Sequence, residues 1–171
     1  MPKISAGILL FRRRNSAIEV LLVHPGGPFW MKKDAGAWSI PKGELDSPNP
    51  ESASEAVLLE LARREFAEEL GPAAEGVFSD STDFHYLGNI RQKSGKLVHA
   101  WAVEGDCDAL RLQSNTFTLE WPPRSGKESV FPEVDRAEFF SLETARAKMI
   151  SAQTEFLDRL AKAFAAEKSP S

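Results

Sequence analysis

The chain has 171 residues, 42% of them hydrophobic, with a formal net charge of −4 and a single cysteine, Cys107. This length and apolar content suit one globular domain over residues 1–171, with a frayed tail from about residue 167. The acidic balance argues against a general nucleic-acid binder, one cysteine excludes an internal disulfide and argues against a cysteine-built zinc site, and no apolar run nears the ~20 residues of a membrane helix.

The N-terminus has a short apolar run followed by arginines, the reverse of a secretory leader, so a soluble cytoplasmic protein is expected. SAGILLFRR (5–13) and AIEVLLVHP (17–25) flank RNS and predict a β-hairpin. GGPFWMKKDAG (26–36) reads as a loop, AWSIP (37–41) as a short strand stopped by Pro41, and KGELDSPNPE (42–51) as a second loop. A long helix is predicted from about Ser52 to Leu70, with Gly71 at its C-terminal cap and Pro72 forbidding continuation. DFHYLGNIRQ (83–92) and KLVHAWAVEG (96–105) predict a second hairpin, and residues 114–135 read mostly as loop. RAEFFSL (136–142) reads as a strand leading into a helix at ETARAKMI, and a last amphipathic helix covers about 152–166. Strands around one long helix, with helices at the end, predict an α+β fold with helices packed on the faces of a mixed sheet.

The long helix carries an unusual charge pattern. At about 100° per residue from Val57, the apolar Leu58, Leu59, Ala62, Phe66 and Leu70 fall between roughly 100° and 220°. Glu69 falls near 120°, inside that arc, Glu65 near 80°, at its edge, and Glu68 near 20°. Like charges at i,i+3 and i,i+4 oppose the helix by about 0.2–0.5 kcal/mol each, and carboxylates at its C-terminal end face the negative pole of the dipole. Burying an unpaired carboxylate costs several kcal/mol more, so the cluster needs positive charge beyond that of Arg64. A divalent cation with oxygen ligands supplies it, and Mg²⁺ favours few carboxylates together with substrate phosphates.

REFAEELG, Arg64 to Gly71, resembles the second half of the Nudix box. WSIPKGE (38–44) is similar to the strand and loop that lead into that box, and FPEVDRAEFFSLETA (131–145) to the family's closing strand and helix. The likeness spans roughly residues 3–150, with two departures. Twenty residues lie between Gly43 and Arg64, where the family's pattern has thirteen, which displaces the first box glutamate and leaves Glu51 and Glu55 as alternatives for it. Pro72 stands where an aliphatic residue is usual.

The resemblance implies a Nudix-type α/β/α sandwich with a long catalytic helix. It implies that Glu65, Glu68 and Glu69 hold Mg²⁺ or Mn²⁺, that Arg64 orients the glutamates by salt bridges, and that Gly43 lets the backbone turn tightly beside the metal. Glu133 is the candidate general base. The implied reaction is water attack on phosphorus in a nucleoside triphosphate or dinucleoside polyphosphate, ahead of ADP-ribose or a nucleotide sugar. A nucleotide-sensing module without catalysis is the alternative, and a homodimer is compatible with either. Lys42 is a candidate phosphate ligand, as are Arg91 (with Lys93 and Lys96) and Arg124 (with Lys127). Trp38 and Trp121 could stack on a base, although Trp38 suits the core better. His24, His85 and His99 read as ordinary sheet residues, and Tyr86 lies near where some dinucleoside polyphosphate hydrolases place a tyrosine.

Overall fold

A computed structural model describes residues 2–164. The expected frayed tail and the last two residues of the predicted final helix lie outside the described residues. Strands β1 (Ile4–Arg14) and β2 (Ala17–Pro25) form the first hairpin, and β4 (His85–Arg91) and β5 (Leu97–Glu104) the second. With β3 (Lys42–Glu44) and β8 (Val134–Ser141) they build a mixed six-stranded sheet in the order β4-β5-β1-β2-β8, β3 pairing with β1. The pair β1–β5 is parallel and the other pairs are antiparallel.

Both faces of the sheet are covered. Ile8, Leu10, Leu21 and Val23 point to one face and pack with Leu58, Leu61, Ala62, Phe66 and Leu70 of α1 (Glu55–Leu70). Leu9, Phe11, Val20 and Leu22 alternate to the other face. There they meet Trp38, Ile40 and the helices α2 (Leu142–Lys148) and α3 (Thr154–Phe164). This is the expected α/β/α sandwich, and the all-apolar runs of β1 and β2 follow from burial on both sides. Among the described residues no helix is long and apolar enough to cross a membrane.

The long helix begins three residues later than its periodicity predicts. Ser54 caps it, its side chain accepting from the Val57 N–H, and Pro50–Ser52 form a separate 3-10 turn. Gly71 ends it at φ +57°, its N–H bonding the Ala67 carbonyl, as expected for a residue able to take positive φ. The buried stripe is shifted slightly from the one predicted: Leu61 is buried and Leu59 only partly so.

Three segments differ from expectation. Residues 37–41 are not a strand: Ser39 bridges Val23 and Trp38 bridges Met149 singly. The strand is instead Lys42–Glu44, read from sequence as loop. Along β1, Phe11–Arg14 pair with β2 while Ser5–Gly7 pair with β3, so residues 38–44 wedge between β1 and β2. Residues 114–135, read mostly as loop, hold an antiparallel hairpin of β6 (Thr116–Glu120) and β7 (Glu128–Pro132).

Candidate active site

The wedge sets β3 directly over the C-terminal half of α1. Glu69 Oε1 accepts the Lys42 backbone N–H at 3.1 Å, which ties the helix to the strand. Gly43 lies over Glu65: a Cβ there would fall 2.1 Å from Glu65 Cδ and 2.5 Å from its Oε1. Gly43 sits inside β3, paired with Ala6 of β1, and makes no tight turn, contrary to expectation. It is needed because any side chain would occupy the space of the Glu65 carboxylate.

Burial and like charge act together on these carboxyl groups. Desolvation raises Glu65 above the ordinary range, and the charges of Glu68 and Glu133 add to it while Arg64 opposes. Desolvation pushes Glu69 up to about 8, against the lowering effects of the Lys42 N–H and ammonium; Glu65 and Glu133 raise it further. Lys42 is pushed down, first by burial and then by Lys96, with Glu69 and Glu44 opposing. Burial is the largest cause of all three shifts, and ionisable groups perturbed together in this way are common at ligand sites.

Glu69, Lys42 and Glu133 open onto one cleft of about 210 Å³, lined also by Trp30, Ser39, Ile40, Val134 and Ile150. Glu133, the exposed residue between β7 and β8, is placed by two backbone bonds, Gly26 N–H to its carbonyl and its own N–H to Asn115. The structure thus brings Lys42, Gly43, Glu65, Glu69 and Glu133 together from three stretches of chain. Glu68 is exposed on α1 and reaches the group through its charge on Glu65.

Other expected residues lie elsewhere. Arg64 is exposed and makes no salt bridge among the described residues, so it acts on Glu65 through its field alone. Arg91 lines a separate depression with Pro2, Lys3, Ser94, Gly95 and Lys96. Arg124 sits in the β6–β7 turn at φ +61°, its N–H held by Glu120, and is not among the cleft residues. Glu51 is exposed in the 3-10 turn, and Glu55, at the start of α1, acts on Tyr86 and His99 rather than on the glutamate cluster. Trp38 is buried in the core, and Tyr86 donates to or accepts from His99 Nδ1 at 2.8 Å.

Sequence reasoning passed over Trp30 and the role of His24. His24 is no ordinary sheet residue. Its buried ring meets Asp135 Oδ1 at 2.8 Å and the Lys33 carbonyl at 2.6 Å, fastening the 26–36 loop to β2 and β8. A histidine followed by a Pro-Gly-Gly turn was the available signal; its partner 111 residues away was not readable.

Among the described residues no three His, Cys, Asp or Glu side chains are gathered as a ready cage for a metal ion. The donors present nevertheless fit one. Glu65 and Glu69 are hard oxygen donors whose charged forms are disfavoured by burial and by each other, Gly43 leaves room for the Glu65 carboxylate to sit beneath β3, and Mg²⁺ completes its shell with water and phosphate oxygens.

The Nudix domain pattern matches residues 1–160, so the chain belongs to the Nudix family and is a hydrolase acting on phosphoric anhydrides. No curated protein is similar enough to count as a match. Among solved structures, the chain is similar to an Ap4A hydrolase binary complex from C. elegans, with a TM-score of 0.61, 18% identity, and 95% of this chain and 98% of that one covered. It is also similar to a Nudix hydrolase from Listeria monocytogenes (TM-score 0.57, 14% identity, 96% and 95% covered). A third is the Nudix domain of NrtR from Shewanella oneidensis complexed with ADP ribose (TM-score 0.52, 15% identity, 95% and 88% covered). At these identities the likeness concerns the fold.

Proposed function

We propose that the protein is a Mg²⁺- or Mn²⁺-dependent pyrophosphohydrolase that cleaves the diphosphate linkage of a nucleoside triphosphate or dinucleoside polyphosphate by water attack on phosphorus. The observation that carries this reading is the stacking of Glu65 and Glu69 beneath Lys42 and Gly43, at a cleft that also holds Glu133. Glu65 and Glu69, with Glu68 at the rim, would hold the ion. A divalent ion there supplies counter-charge to the diphosphate oxygens and the leaving phosphate. Lys42 acts as a point charge on a phosphate oxygen. Glu133, exposed and across the cleft, accepts the proton of the attacking water. Lys96, which pairs with Glu44 at 3.4 Å, carries positive charge from Lys42 toward Arg91, where a longer phosphate chain can extend.

Turnover of a nucleotide panel should require millimolar Mg²⁺ or Mn²⁺ and stop in excess EDTA. The ion should also raise the melting temperature without nucleotide, since saturation at about 100 times Kd stabilises a folded state by about 2.7 kcal/mol. Full activity in EDTA would refute the reading, whereas a melting shift without turnover would indicate a sensor. Lys42→Ala should raise KM for a dinucleoside tetraphosphate more than for ADP-ribose, because the lysine acts on phosphate charge. Equal effects on the two substrates would make Lys42 a structural residue.

A further inference from the structure

Three of the six large hydrophobic residues exposed among the described residues are consecutive in the 26–36 loop, whose Trp30 lines the cleft. They are Phe29 (62% exposed), Trp30 (39%) and Met31 (65%). The loop touches the β6–β7 hairpin: Phe29 meets Trp121 edge-on at 5.5 Å between ring centroids, and the Phe117 ring covers Gly27.

The loop is held in place while its aromatic apex is left bare. His24 binds the Lys33 carbonyl, and Asp34 accepts from Trp38 Nε1 at 2.8 Å and pairs with Lys148. Backbone bonds from Trp30 to Gly27 and from Lys33 to Trp30 shape the turn. Trp30 lines the same cleft as Glu69, Lys42 and Glu133. A group resting on this ledge is therefore next to whatever occupies the carboxylates.

From this juxtaposition we infer that Trp30 is the seat on which the base of the nucleotide substrate stacks. The inference rests on the pyrophosphohydrolase reading. Charge assigns the two ends of the substrate: the phosphates belong at Lys42 and the glutamates, and the uncharged planar end belongs on the aromatic ledge. Lys33, with Nζ 5.1 Å from the Trp30 centroid, is the cation nearest the ring. Two polar side chains near the ledge are already engaged, Asp34 by Trp38 and Lys148, and the cleft-lining Ser39 by the Ile40 carbonyl and Gln153. Recognition is by ring overlap, so adenine and guanine should be accepted nearly alike.

The test is calorimetric binding of α,β-methylene-ADP, its guanine counterpart and methylenediphosphonate, the last having the two phosphorus centres but no nucleoside. Each is titrated with Mg²⁺ into wild type, Trp30→Ala and Trp30→Phe, with melting temperature and sedimentation followed in parallel. Trp30→Ala should weaken the ADP analogue about 5- to 150-fold, the range for loss of one base–aromatic stack. Methylenediphosphonate should stay within about twofold, Trp30→Phe should recover most of the affinity, and the two nucleotide analogues should differ by less than about threefold in wild type. Equal weakening of all ligands, or none, would overturn the ledge while leaving the pyrophosphohydrolase reading standing. A wild-type protein that binds neither nucleotide analogue nor methylenediphosphonate would overturn both. A dimer that Trp30→Ala splits, with nucleotide affinity unchanged, would make the patch a subunit interface and also overturn the inference.

Discussion

Glu69→Gln is expected to reduce kcat by about 10²–10⁴, a loss of transition-state stabilisation of a few kcal/mol. The substitution keeps the size of the side chain and an oxygen to accept the Lys42 N–H, so it removes charge and little else. Metal-free stability should be unchanged near neutral pH, where Glu69 is already largely protonated, and higher by roughly 0.5 kcal/mol above pH 8, where wild type would carry a like-charge pair with Glu65. The same carboxyl group gives a pH signature. In the metal-free folded protein Glu69 titrates near 8, against 4.5 ordinarily. Between these values the folded state keeps a proton that the unfolded chain has released. Its contribution to stability is therefore fully present below pH 4.5 and is lost as pH rises toward 8. The melting temperature of wild type in EDTA should fall across that window more steeply than that of Glu69→Gln, and Mg²⁺ should restore it more in wild type. A Glu69→Gln protein that is destabilised but fully active would defeat the ligand role.

Gly43→Ala should separate activity from stability still more sharply. Extended backbone accepts alanine without strain, so the conflict lies wholly with the Glu65 side chain, whose Cγ is 2.2 Å from the added Cβ position. That side chain can swing away, which keeps the cost in stability within about 1 kcal/mol, as for substitutions away from the core. The carboxylate then leaves its position, and a displacement of about 1 Å at a reacting centre can cost on the order of 10²-fold in rate. Thermal melting and kcat measured on the one variant check this. A folded Gly43→Ala protein with wild-type kcat would show that Glu65 need not sit beneath β3.

What local pattern specifies was legible in the sequence. The 3.6-residue period of α1 placed Glu69 inside the buried arc, and the structure raises its pKa for that reason, by burial first. Gly71 and Pro72 mark the end of the helix through φ preference and a missing N–H, both properties of single residues. Only the tertiary structure decided the rest. Lys42–Glu44 has no period of its own; it is a strand because β1 offers unpaired backbone groups where β2 diverges, and those groups must be bonded when buried. β6, TFTLE, does alternate, but its partner ESVFP puts Val130 on the exposed face and Ser129 on the half-buried one, so the second strand has no readable period and the hairpin was obscured. Glu133 joins Glu65 and Glu69 through the closure of β8 on β2, whereas Glu51 and Glu55, nearer in sequence, are carried away by the 3-10 turn and the late start of α1. Backbone propensity acts over a few residues, but the mutual placement of charges depends on which strands pair, and that is decided by burial of the whole sheet.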